Sequence, residues 1–113
     1  MLGYQVIFYV QQDQKHKGIG LSHWLLHRAR ELNIGEAALF AAAEAVDKDH
    51  RLHSARFFEQ NDQHLQVQMI LPEPDVERLF AAIDAEGLNI FYIKLPVDMG
   101  VTGESSAFIP KKE

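Results

Sequence analysis

From Tyr4 to Gln11 the chain alternates: Tyr4, Val6, Phe8 and Val10 fall on one side of an extended backbone, and Gln5, Ile7, Tyr9 and Gln11 on the other. A period of two built from β-branched and aromatic residues predicts a strand. At Leu21 the period lengthens. Leu21, Leu25, Arg28/Ala29 and Leu32 form one helical stripe, with Gly35 placed to end it. Leu65, Val67, Met69 and Leu71 predict another strand, and Pro74 opens a second helix with Val76, Leu79, Phe80 and Ile83 on its inner face. Gly87 stands at that helix's C-terminal cap, and Asn89 to Leu95 predicts a last strand stopped by Pro96.

Residues 37–45 are the ambiguous stretch. Their alanines favour helix by propensity. Gly35 has already ended one helix, however, and a sheet paired with two helices needs one more strand, so 37–45 is assigned to it. The order is then strand, helix, strand, strand, helix, strand, which predicts an α+β fold of the ferredoxin-like βαββαβ type. Its sheet is antiparallel, with both helices on one face. The chain of 113 residues is expected to form a single domain, 1–113, with 96–113 as a C-terminal loop or tail. The face without helices would carry Gln5, Ile7, Tyr9, Gln66, Gln68, Ile70, Ile90 and Tyr92, with Lys94 its one charge. Depletion of charge marks interface cores better than bulk hydrophobicity does, so this face predicts self-association.

Composition narrows the function. A net charge of -5 disfavours nucleic-acid binding, which needs a strong basic field to displace counterions. With no cysteine, disulfides, thiolate metal sites and a cysteine nucleophile are excluded together, in keeping with a cytoplasmic location. The apolar run 4–10 is too short to span a bilayer, so no membrane insertion is expected. Enzyme signatures are lacking. No Gly-x-Ser-x-Gly surrounds Ser54, and Asp47 and Asp49 suit turn chemistry better than acid–base work.

The strongest chemical signal is His50, Arg51, His53 and Arg56, four potentially cationic side chains in seven residues. Arginine offers a planar fork matched to phosphate and a nearby histidine adds a donor, so Arg51, His53 and Arg56 form the leading anion-site candidate. In extended chain Arg51 and His53 share one side and Arg56 takes the other. A solvated loop cluster is the plainer reading. Gly18-Ile-Gly20 ahead of the first helix, preceded by Lys15, His16 and Lys17, resembles a helix start that binds phosphate through free N–H groups, making Lys17 and Gly18 further contacts. The glycines could equally serve a turn. His23 and His27, at i and i+4, could clamp a divalent metal, with His16 and His50 as further ligands. Their face lies opposite the leucine stripe, which also fits plain solvated surface. Residues 45–51 have few apolar anchors, and with the tail after Val101 they are expected to be locally unstable without ligand.

Asp13 through Gly18, Ala29-Arg30-Glu31, Arg51-Leu-His-Ser-Ala-Arg56 and Val67-Gln-Met-Ile-Leu-Pro-Glu73 resemble the PII-like family called domain of unknown function 190. More distantly, residues 67–83 and Val101-Thr-Gly-Glu104 are similar to PII nitrogen-regulatory signal-transduction proteins. The resemblance covers about residues 4–95. It implies a homotrimer that binds an adenine nucleotide or another small anionic metabolite in clefts between subunits, below a loop joining the second and third strands. Arg51, His53 and Arg56 would lie at the base of that loop. The implied role is signalling through the 44–56 segment to a partner such as a membrane transporter. A metal-responsive binding protein using His23 and His27 is the alternative.

Overall fold

The computed structural model describes residues 1–42, 44–46, 52–54 and 63–103, with 44–46 and 52–54 as backbone only. In chain order the elements are β1 (Leu2–Gln11), β2 (Lys15–His16), β3 (Ile19–Gly20), α1 (Leu21–Glu31), β4 (Glu36–Ala41), β5 (Glu44–Val46), β6 (Leu52–Ser54), β7 (His64–Leu71), α2 (Glu73–Ala85) and β8 (Phe91–Asp98). Four of the strands form one antiparallel sheet in the order β4-β7-β1-β8. This is the ferredoxin-like arrangement, with strand assigned to 37–45 in place of the helix that alanine propensity favours. Burial of Val67 and Met69 beneath the helices decides that contest, because β4 completes the sheet beside β7.

One face carries the core. Val6, Phe8 and Val10 from β1 and Leu65, Val67, Met69 and Leu71 from β7 meet Leu21, Trp24, Leu25 and Ala29 of α1 and Val76, Leu79 and Ile83 of α2. Each fully buried aliphatic side chain contributes about 1.5–3 kcal/mol, and the alternation in β1 and the stripe in α2 are the reason these residues fall together.

Both helices end in the same way. Gly87 takes a left-handed φ of 69°, and the amides of Gly87 and Leu88 donate to the carbonyls of Asp84 and Ile83, satisfying carbonyls the helix leaves free. In α1 the left-handed residue is Asn33 (φ 62°) rather than Gly35, with Asn33 and Ile34 donating to Arg30 and Ala29. Asn tolerates that conformation. Ile34 then buries its side chain against the core, which fixes the exit two residues earlier than Gly35 implied.

The last strand departs from expectation at both ends. Pro96 does not stop it. β8 is an edge strand, where a missing N–H removes no ladder bond, and it continues to Asp98 with Pro96 opposite Tyr4. Its faces are also reversed. Pairing of Phe8 with Tyr92 and Val6 with Lys94 puts both on the helix side, where the Tyr92 ring packs edge-on to Phe80 at 4.8 Å and Lys94 lies over the Tyr4 ring at 4.8 Å. Ile90 packs against the core as well. The open face therefore presents Phe91, Ile93 and Leu95 in place of Ile90, Tyr92 and Lys94.

Three rows cross that face: Phe40-Gln66-Tyr9-Phe91, Ala38-Gln68-Ile7-Ile93, and Glu36-Ile70-Gln5-Leu95. Phe91 is 70% exposed, and Glu36 at the β4 edge is the one formal charge in these rows. The face is more apolar than the sequence alone suggested.

Candidate functional site

Strand direction determines which segments can cooperate. β1 and β4 finish, and β7 and β8 begin, at the same end of the sheet, where α1 also starts and α2 stops. The β2–β3 hairpin, the excursion between β4 and β7, and the turn after α2 therefore share that end. Hydrogen bonds tie them there: Gln12 N donates to Gln63 O at 2.9 Å, Ala42 N to His64 O at 2.9 Å, and Leu21 N to Gln14 O at 2.8 Å. Within the excursion, β5 and β6 pair as an antiparallel ladder, Ala45 opposite His53.

Of the anion-site candidates, His53 lies on β6 at the position opposite Ala45, while His50, Arg51 and Arg56 lie outside the described residues, as do residues 47–51 of the segment expected to be unstable and the tail from 104. Lys17 and Gly18 form the two-residue tip of the β2–β3 hairpin. Both have positive φ, 54° and 85°, the signature of a type I′ turn. Gly18 is thus taken up by turn geometry, and Leu21's amide, the first N–H of α1, is already held by Gln14. The Gly18-Ile-Gly20 run is not arranged as a phosphate-cradling helix start.

The hairpin instead reaches α2. His16 Nε2 lies 2.8 Å and Lys17 Nζ 3.1 Å from Oε1 of Glu86, the residue at the C-terminal cap of α2. An ionised carboxylate only accepts, so His16 donates through Nε2. Arg28 Nη2 faces the other carboxylate oxygen at 3.8 Å, while its Nη1 bonds Glu31 at 2.8 Å. Trp24 packs against two of these groups: the His16 ring meets it edge-on at 5.5 Å and the Arg28 guanidinium sits over it at 5.2 Å. Residues 16, 17, 28 and 86 have no sequence spacing that would have revealed them as a group. A run of Lys15, His16 and Lys17 in a chain whose second helix ends on a glutamate was the only available hint.

The hydrogen bond from His16, then that from Lys17, holds the Glu86 carboxyl below its ordinary 4.5, with desolvation opposing them. A carboxylate whose folded pKa is depressed stabilises the fold above its unfolded value, and that contribution disappears as pH falls through the lower folded value. Glu86→Gln is expected to flatten the acid limb of stability below pH about 4.5 and to leave the slope near neutrality unchanged. Urea midpoints across pH for both proteins check this, and parallel acid limbs would contradict it.

His23 and His27 lie on the exposed side of α1, and His16 is engaged by Glu86. Among the described residues no three histidines, aspartates or glutamates converge as metal donors, so the metal alternative finds no support in this geometry. No described helix is long and apolar enough to cross a membrane.

Residues 3–89 match the model of the family DUF190, described as Uncharacterized ACR, COG1993. No curated protein matches this sequence significantly. Among solved structures, CPII from Thiomonas intermedia K12, a nitrogen regulatory PII-like protein bound to ADP, AMP and bicarbonate, is 9% identical with a TM-score of 0.65. The match covers 89% of this chain and 91% of that chain. CPII bound to ADP and bicarbonate gives 10% identity and a TM-score of 0.63 over 89% and 91% of the two chains. A PII-like signalling protein from Thermus thermophilus gives 14% and 0.65 over 92% and 94%. At such identities the likeness is one of fold.

Proposed function

Because the chain belongs to the DUF190 family, we propose that it is a PII-like regulatory protein that binds a small anionic metabolite, an adenine nucleotide in the first instance, at clefts between subunits. The observation that carries this reading is the common sheet end, where the hairpin tip, the two ends of the 42–63 excursion and the turn after α2 come together. In the proposal Arg51, His53 and Arg56 supply charge-assisted contacts, and Lys17 and Gly18 supply further contacts from the hairpin tip. The match to CPII over nearly its whole length, in one structure bound to ADP and AMP and another bound to ADP, supports the choice of nucleotide. The apolar open face supports a closed homotrimer, in which neighbouring subunits would wall the cleft. The ligand state would pass through residues 44–56 to a regulated partner, such as a membrane transporter, at the cytoplasmic side.

Calorimetric titration with AMP, ADP, ATP and cyclic dinucleotides tests this. Each arginine supplies a contact of about 1.5–3 kcal/mol, so Arg51→Ala or Arg56→Ala is expected to weaken binding roughly tenfold or more. His23→Ala and His27→Ala are expected to change nothing. Rising salt should weaken the wild type, because exposed charges are screened. Failure of the wild type to bind any of these at millimolar ligand would remove the nucleotide reading.

A further inference from the structure

Glu86 is oddly placed. It caps the C-terminal end of α2, where unpaired carbonyls already concentrate negative charge, yet Lys17, Arg28 and the His16 ring converge on it. Those donors come from elsewhere: His16 and Lys17 from the hairpin and Arg28 from α1. The hairpin and helix packing that sets them side by side needs an anion between them, whatever the source.

The single carboxylate fills this role incompletely. Oε1 is shared by His16 and Lys17, while Arg28 Nη2 stands 3.8 Å from Oε2, well beyond the roughly 2.7–2.9 Å of a formed charge-assisted bond. Arg28 Nε is buried and has no hydrogen-bond partner, so the guanidinium keeps unused donor capacity. A hollow of about 300 Å³ lined by Ile19, Trp24, His27, Arg28 and Glu31 opens beside it. Arg28 already bonds Glu31 through Nη1 at 2.8 Å, and the two oxygens of Glu86 are shared among His16, Lys17 and the remaining donors of Arg28. A tetrahedral phosphate brings more oxygens and more charge.

We propose that His16, Lys17 and Arg28 form a phosphate-binding site that Glu86 occupies as an internal stand-in and vacates when a phosphate group arrives. Glu86 is suited to leave: its side chain is 21% exposed, and the helix cap is made by backbone groups that do not involve the carboxylate. The exchange releases the hairpin from α2, so occupancy is read out as a change in how those two elements are held. The site shares Lys17 with the contacts proposed above, but it requires neither adenine recognition nor the 42–63 excursion, so the two can fail separately.

Inorganic phosphate is the probe, followed by calorimetry and by the emission of Trp24, the chain's one tryptophan, which touches both His16 and Arg28. Removing the internal competitor in Glu86→Gln is expected to tighten phosphate binding about tenfold or more, and Lys17→Ala to weaken it by a similar factor. Phosphate is also expected to raise the melting temperature of the wild type but not of Lys17→Ala, a readout that does not depend on the Glu86 variant folding. ADP titrated in parallel separates the sources. Tightening of ADP by the same factor in Glu86→Gln assigns the site to a nucleotide's phosphate, and tightening of inorganic phosphate alone assigns it to the free ion. Equal phosphate affinity in wild type and Glu86→Gln, or no binding by either at about 10 mM, overturns the site. If ADP still binds in that case, the nucleotide function stands without it.

Discussion

The self-association proposed for the open face is expected to be lost in Ile93→Glu and kept in the adjacent Lys94→Glu. Ile93 lies beside Ile7 in the middle row of the open face, and Lys94 is on the helix side over the Tyr4 ring. A carboxylate buried without a partner at a subunit contact costs several kcal/mol, here at least about 3 kcal/mol, which is more than a hundredfold in the dissociation constant. Lys94→Glu removes only an exposed cation–π contact of about 0.5–1 kcal/mol. Sedimentation equilibrium separates the outcomes, because the protomer is 12.9 kDa and a trimer is three times that mass. Wild-type protein at protomer mass at micromolar concentration would sink self-association. Dissociation by both variants alike would instead contradict the register of β8.

The second large effect concerns the core. Phe8 is 1% exposed, and its ring lies 5.8 Å from Phe80 and 6.2 Å from Tyr92. It joins the central strand, α2 and the edge strand in a single aromatic contact. Phe8→Ala is expected to cost about 3–5 kcal/mol, since the cavity is bounded by elements that cannot all move inward. That is a large part of the roughly 5–15 kcal/mol holding a domain together. Leu2→Ala, at a position 78% exposed, should stay within about 0.5 kcal/mol. Urea denaturation of both variants measures the difference, and near-equal midpoints would contradict the packing described.

What could be read in advance follows from where the side-chain period was clean. β1 and β7 alternate strictly, and α2 keeps one apolar stripe, so their buried faces were legible. Ile90-Phe91-Tyr92-Ile93 is apolar at every position, and no alternation says which side faces inward. Pairing with β1 decides, drawing Tyr92 against Phe8 and Phe80. Pro96 and Gly35 misled for a related reason. The weight of each signal depends on tertiary position: an edge strand tolerates the proline, and Ile34 demands burial before Gly35 is reached. Gly18 stands in a type I′ turn, the use of glycine that the run Gly18-Ile-Gly20 offered beside a helix start. The Glu86 cluster had no local signature at all, since its members meet only once the hairpin folds over the end of α2.

The place of β1 between β7 and β8 bears on how the chain reaches its fold. The strand that comes first in sequence is flanked on both sides by strands that come late, so neither of its ladders can form from local contacts. Ladders closed over long chain separations form slowly, because loop entropy is lost before pairing repays it. Until β8 is in place, the side of β1 that it covers remains an unpaired row of N–H and C=O groups next to exposed apolar side chains, a template for pairing with other chains. Docking of β8 covers that row and leaves β8, with Pro96 in it, as the edge of the sheet. The same step completes the apolar rows of the open face.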